Sequence, residues 1–597
     1  MIKKFTTSLA IACSLLISGI SGSAQGTWQT LTNIAPHDNG GVMLLLTDGT
    51  VMCLTEFDPT NSGIGNTWDL LTPDNHGSYL NGTWSVLTPM ISTRLYIASQ
   101  VLPNGNVYAA GGEYGTGGSL GEVYNTTTKT WTAITGIPAF WDIYDGNSEI
   151  LYNGDVLQGV QISPDWLISG MSIDNMLYHP GTNSCDTAMR CFGSHDESSW
   201  VKLRDSSIIN VDMGTKNSER YIPQTGKWVK DANLPIDLYD HKLFETGAGF
   251  LLPNGKLFFL GDSIYTAIYT PSGNASPGSW VQGPQMPVVN GVQLGCSDAA
   301  AAMMPNGKIL CDFSPAGTYN NPIYFFEFDY TTNMFTQIKA FNGIDTVSNN
   351  SDFVNMLDLP DGTVLVSEQG DSAYYQYTPS GNPLASGKPT IDDITGTCPN
   401  YVVTGKLFNG ISEGAAYGDD WQCSTNYPIV RLTDGTNVYY AKSTNWNRIG
   451  AVMTDSLPDT ADFVIPNGMP AGTYSVVVIA NGIQSNPTML TTNCSPNAVQ
   501  DIKGGNGNVT VYPNPGNGQF TLQIRNYELG IRNVEVFNVL GEQVYSQSNI
   551  QNPRPNGSAG RATFKINLGS QPAGVYFYRV LSETGVVIGD GKIVIEK

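Results

Sequence analysis

The chain has 597 residues, with 51 Asp and Glu against 29 Lys and Arg, and a formal net charge of −22. So acidic a surface repels phosphate backbones, which excludes a nucleic-acid partner, and the length exceeds what one core supports, so several domains are expected. Charged residues make up only 13% while glycines number 66, a composition that suits an extracellular β-protein with many turns.

Residues 1–24 carry Lys3 and Lys4, an apolar run and then Gly22-Ser23-Ala24, the pattern of a secretory signal peptide cleaved after Ala24. No later stretch holds the roughly 18 apolar residues of a membrane span, so no transmembrane segment is expected. Eight cysteines follow the leader. An even number in an exported chain permits disulfides, with Cys185 and Cys191 the most plausible local pair and the overall connectivity open.

From residue 27 a phrase close to Leu-Pro-Asn-Gly recurs, each copy followed by an apolar strand. Its turn residues are Gly49, Gly105, Gly154, Ser206 in a degenerate copy, Gly255, Gly307 and Gly362, at spacings of 56, 49, 52, 49, 52 and 55. A period near 50 residues is that of the kelch propeller, in which each repeat is one four-stranded blade. The fold expected for residues 27–387 is a seven-bladed kelch-like β-propeller within an all-β chain. Asn-Gly and Asp-Gly close a tight hairpin between the first two strands of each repeat. Trp131, Trp228, Trp280 and Phe335 open the fourth strands and are expected to wedge between blades. The segment Gly26-Thr27-Trp28-Gln29-Thr30-Leu31 reads as a fourth strand with no blade before it, and Tyr374 to Pro383 as a third strand with none after. The N-terminal strand should therefore complete the last blade.

Loops entering the innermost strands gather at one mouth of a propeller channel. Counting back from each turn residue places Asp38 with His37, Arg94 and Tyr96, Asp145 with Asp142 and Tyr144, His195-Asp196-Glu197, Asp240-His241 with Glu245, Asp298, and Asp352 in these loops. Most contribute a carboxylate. Such a mouth could hold a cation, calcium among them, or sugar hydroxyls, and close carboxylates that raise one another's pKa could act as acid and base. The plainer alternative is that these residues cap backbone amides and bind channel water. Trp68, Trp84, Trp141, Trp421 and Trp446 are candidates for stacking on sugar rings, with Trp84 better suited to a blade wedge.

After residue 387 the period stops. Alternating strands over residues 388–492 read as an Ig-like β-sandwich, residues 493–508 as a linker, and residues 509–597 as a second, small C-terminal β-sandwich. Tyr512-Pro513-Asn514-Pro515 and Pro572-Ala573-Gly574-Val575-Tyr576 make this last segment resemble the C-terminal sorting domain of the type IX secretion system of Bacteroidetes. That resemblance implies export, with the secretion machinery as partner through residues 509–597, and a secreted or cell-surface product.

Propeller and sandwich together resemble secreted bacterial kelch proteins of the galactose-oxidase-like type, on the segment from Gly414 to Asp420, Tyr427-Pro428 and Val438-Tyr439-Tyr440. The family layout implies one copper ion, held by a Tyr-His pair late in the propeller and a histidine from the sandwich, beside a cysteine-linked tyrosine. The five histidines of this chain are His37, His76, His179, His195 and His241, so neither late histidine can be supplied; Asp419 and Asp420 stand at the sandwich loop instead. Copper chemistry is not expected, and no cofactor is assigned. The expected function is a non-redox propeller that binds a glycan or protein partner at its acidic mouth. The alternative is a hydrolase or lyase acting on polysaccharide through two mouth carboxylates, with a copper radical oxidase last.

Overall fold

The computed structural model describes residues 25–55, 64–163, 173–196, 198–242, 244–317, 319–416, 425–451, 457–493, 509–527, 531–539, 542–548, 560–582 and 587–597. The expected leader, nearly all of the linker, Glu197, Asp419, Asp420 and Trp421 fall outside them. Two compact units divide the chain, residues 1–494 and 495–597.

The first unit begins with seven antiparallel sheets, one per sequence repeat. The first is typical, running Asn39–Leu45, Val51–Thr55, Trp68–Thr72 and Thr83–Val86 in spatial order. Every hairpin between the first two strands turns on a left-handed residue, with φ between 78° and 87° at the six glycines and 68° at Ser206. Ser206 thus holds a conformation that glycine adopts without strain. The degenerate repeat keeps the turn.

Innermost strands touch in order around the ring, with the strand Glu413–Ala416 bridging the fifth and the sixth, so the sheets form the blades of a β-propeller. Closure comes from Thr27–Thr30, which pairs with Tyr374–Thr378 in the register Trp28↔Tyr377 and completes the seventh sheet. Tryptophans opening fourth strands join adjacent blades. Trp28 Nε1 donates to Lys339 O at 2.7 Å and Trp131 Nε1 to Thr88 O at 2.9 Å, and Trp28 meets Phe325 and Phe341 edge-on. Such rings bury area that a lone blade leaves wet.

Residues 390–492 form nine strands, eight of them in two layers. Asn400–Lys406 and Asp459–Val464 lie in one, Ile429–Thr433 and Gly472–Ala480 in the other, and Val438–Thr444 pairs with both. Their inner faces share one core that includes Val403, Phe463, Val430, Val476 and Val478. One strand leaves this pair of sheets. Glu413–Ala416 pairs with Thr246–Leu251, the innermost strand of the fifth blade, and also touches Ala301–Met303 of the sixth. It wedges into the ring beside the central channel, and explains why propeller and sandwich count as one unit.

Cys185 and Cys191 do not pair; both are free thiols, as are Cys53, Cys296 and Cys311. They belong to separate cores, Cys185 facing the second blade and Cys191 packing with Trp200 and Trp228 of the fourth. Cys185 lies within the outer strand Ser184–Thr187 of the third sheet, whereas Cys191 lies beyond that strand, in the connection that leads to the fourth sheet. Cys398 is disulfide-bonded.

The second unit holds a three-stranded sheet and a four-stranded sheet, from Val509–Tyr512 to Val587–Ile595. Phe520, Leu522, Val534, Val536, Tyr576 and Ile593 fill the core between them.

Candidate functional site

In an antiparallel blade, the loop entering the first strand and the loop joining the second to the third emerge at the same end. That end of the ring is the mouth, and its loops carry an unusual backbone. Tyr96, Asp145 and Asp298 hold φ of 52°, 48° and 45° in loops that enter innermost strands, and Phe140 and Phe244 hold 71° and 73° nearby. Left-handed non-glycine residues are costly and persist where the surroundings over-determine them.

Carboxylates from several of these loops share one electrostatic field. Asp298, 2% exposed, accepts a hydrogen bond from the Tyr319 hydroxyl at 2.7 Å, and the same hydroxyl meets Glu245 at 3.1 Å. Burial, reinforced by the charge of Asp298, pushes Asp352 up to about 7. Burial and Asp298 also raise Glu113, while burial and Glu113 push Asp196 up to about 7. Asp145 and Asp196 both act on Tyr144, whose hydroxyl is pushed, mainly by burial, to about 12. Glu113, Asp145, Asp196, Asp298 and Asp352 are thereby drawn together. Glu113 and Tyr319 lie in loops between second and third strands, outside the loops counted from the turn residues.

Loops at the same end also carry exposed aromatic rings. Tyr114, Phe140, Phe244 and Tyr319 are 49%, 84%, 43% and 42% exposed on loops at this end. Tyr96 packs against Tyr114 and its hydroxyl donates to Gln369 at 3.1 Å. The tryptophans expected to stack on sugars are placed elsewhere: Trp68, Trp141 and Trp446 are buried, and Trp84 donates to Asn33 O as a blade wedge.

Five further expected site residues serve the scaffold or the outer surface. Arg94 is buried and does not face the mouth. Its Nη1 donates to the carbonyls of Gly111, Gly117 and Leu120, and its Nε and Nη2 to Glu122. Glu122, on the third strand, also accepts from Ile91 N and Ser92 N. His195 repeats the device in the fourth blade, with Nε2 2.9 Å from Glu219, which accepts from Phe192 N and Gly193 N. In the first blade Asp69 takes His37 N and Nδ1. Asp240 caps its own loop, accepting from Lys242 N at 2.6 Å and Glu245 N at 3.0 Å. His241 points outward, 70% exposed and 3.8 Å from Asp237. Asp38 is exposed.

The far end of the channel is closed by the sandwich, with Asn409, Tyr427 and Trp446 lining its base. There Lys202 is buried against Glu149 at 2.6 Å, and Glu413 stands 4.0 Å away. Burial holds the Glu413 carboxyl up at about 7 despite Lys202.

Residues 510–596 match the family described as secretion system C-terminal sorting domain. The chain is an exported protein, secreted or held at the outer cell surface through type IX secretion. Among the described residues no helix is long and apolar enough to cross a membrane. No curated protein matches the chain. Among solved structures it is similar to a fungal alcohol oxidase of the AA5 family in complex with copper, at 14% identity and a TM-score of 0.47, covering 79% of this chain and all of that one. It is also similar to a streptogramin B lyase, at 12% identity and a TM-score of 0.40, covering 60% of this chain and 98% of that one. A virginiamycin B lyase from Staphylococcus aureus gives 12% identity, a TM-score of 0.40, and coverage of 60% and 100%.

The residues present do not fit a copper centre of the oxidase kind. His37, His179 and His195 are each engaged by a carboxylate of their own neighbourhood, and His76 by Thr436 O. Copper(II) of that kind needs nitrogen and oxygen donors that converge; His37 and His76 belong to the first blade, His179 to the third and His195 to the fourth, each held by its own partner.

Proposed function

We propose that this exported propeller binds a glycan at its mouth, without redox chemistry. One observation carries the reading: carboxyls from five loops at one end of the ring act on one another or on the shared Tyr144, and loops at that end carry exposed aromatic rings. Sugar hydroxyls both donate and accept, and this floor offers both, because Asp352 holds its proton near neutral pH while neighbouring Asp298 accepts from Tyr319. Tyr114 and Phe140 supply flat apolar faces for pyranose rings.

The test is a glycan array probed with the full chain, followed by Asp298→Asn and Phe140→Ala on each hit. Binding that weakens about tenfold or more in both variants supports the reading, at the roughly 1–1.5 kcal/mol expected of one lost polar or stacking contact. Silence across the array, with capture of a surface protein instead, would replace glycan by protein partner. A second reading, a hydrolase or lyase, is favoured by the unequal pair Asp352 and Asp298, one carrying a proton and one hydrogen-bonded as an acceptor. New reducing ends or unsaturated products from an array hit would establish it. Residues 509–597 are proposed to engage the secretion machinery, and calcium is an added arm of the binding assay.

A further inference from the structure

The third-strand acid recurs in two blades with different company. In the second blade Glu122 meets a built-in cation, the guanidinium of Arg94. The hydrogen bonds from Ile91 and Ser92 to Glu122, and from Phe192 and Gly193 to Glu219, fix which residues correspond. By that correspondence Met90, Ser92, Arg94 and Gly111 of the second blade become Cys191, Gly193, His195 and Asp212 of the fourth. A thioether, a hydroxyl, a guanidinium and a bare backbone are replaced by a thiol, open space, an imidazole and a second carboxyl.

We propose that Cys191, His195, Asp212 and Glu219 form a structural site for a zinc-class divalent cation in the fourth blade. Donor atoms of Cys191, His195 and Glu219 all lie within 4.8 Å of one another, and the three residues are buried. The His195 Nε2 to Glu219 Oε1 contact is 2.9 Å, so this pair needs to open by only about half an ångström to span one edge of such a site. Metal bonds of about 2.0 to 2.3 Å imply tetrahedral edges of about 3.3 to 3.7 Å, so the thiol needs to close by about an ångström at most. Asp212, 4% exposed, follows the strand Ile208–Val211, which pairs with the strand that carries Glu219, and in this proposal its carboxylate is the fourth donor. Gly193 keeps the room for it: a Cβ there would fall 2.3 Å from Asp212 Oδ2. Trp200 and Trp228 hold the imidazole edge-on, with ring centroids 5.6 and 4.6 Å away.

Sulfur, nitrogen and carboxylate oxygen in one buried cluster suit zinc rather than calcium or magnesium, which take oxygen alone. Binding expels the Cys191 thiol proton and the proton held between His195 Nε2 and Glu219, so uptake falls in acid. The site is independent of the glycan reading, since its donors point into the blade.

The test loads the full chain with zinc or cobalt(II), removes loose metal by desalting, and measures metal per chain and the absorption spectrum. About one tightly held ion is expected, and cobalt should show a thiolate charge-transfer band. Cys191→Met, which restores the residue of the second blade, should abolish that band and weaken retention about 100-fold or more, while tryptophan fluorescence stays native. If that variant does not fold, Asp212→Asn keeps the shape and should weaken retention likewise. A desalted wild-type chain free of zinc, or zinc held equally by the variants, overturns the proposal. Calcium at the mouth would give no thiolate band and would survive both substitutions.

Discussion

Replacing Asp352 with Asn should stabilise the first unit, by an amount that grows as pH rises from about 4 and is complete above neutrality. In the folded protein burial and Asp298 move this carboxyl from 3.8 to about 7. Between those values the folded state binds a proton that the unfolded chain has released, so stability falls as pH rises through the window. About three pKa units correspond to a ceiling of about 4 kcal/mol. Asp352 keeps part of its surface in water, which reduces the expected cost to about 2 kcal/mol. Asn has the same shape and no charge to lose. The assay is urea unfolding of the full chain at pH 4 to 8, followed by tryptophan fluorescence. All 11 tryptophans precede residue 495, so the signal reports the propeller unit without the C-terminal one. Wild type and variant should coincide near pH 4 and separate by about 2 kcal/mol at pH 8, the variant being the more stable. Parallel curves across the range, or a weaker variant at pH 8, would refute the account of a buried, proton-bearing mouth acid.

Other outcomes are equally open to measurement. Arg94→Met strands Glu122 without its counter-ion and should cost about 3–5 kcal/mol in the same unfolding assay, leaving glycan binding intact in the folded fraction. Trp28→Ala removes the ring that locks the closing strand and should cost about 3–5 kcal/mol; a loss under 1 kcal/mol would mean that strand pairing alone closes the ring. Lys202→Met leaves Glu149 and Glu413 facing each other at the channel base and should lower stability by a similar amount at pH 8, with much of it recovered at pH 5 as Glu413 takes a proton. A chain ending before residue 509 should stay within the cell envelope, which fractionation would detect.

The ring was legible because its signals are local. A turn residue in left-handed conformation, an apolar strand and an opening tryptophan each fall within ten residues, and Ser206 kept its place in the pattern despite the missing glycine. Ring closure by Trp28 was legible too, since an orphan fourth strand and an orphan third strand can satisfy their edges only with each other. The mouth was half legible. Asp145, Asp196, Asp298 and Asp352 follow from counting along the repeat, but Glu113 and Tyr319 sit in connections whose length varies from blade to blade. Arg94 and His195 misled because their carboxylate partners arrive 28 and 24 residues later on a third strand, and sequence does not say which way a side chain in such a loop turns. The stacking tryptophans misled for the same reason: large aromatics are as useful between blades as on a rim.

The velcro of this ring spans nearly its whole circumference in sequence, since Thr27 pairs with Thr378, and the wedge at Glu413–Ala416 comes later still. A nascent chain therefore carries an unmated first strand until some 350 further residues exist, and an incomplete fifth-to-sixth seam until the sandwich begins. Blades assembling early would expose raw edges for as long as synthesis lasts, the slow, non-local regime of folding. Maturation of this protein is thus expected to be all-or-none and late, with translation order rather than any single blade setting its tempo.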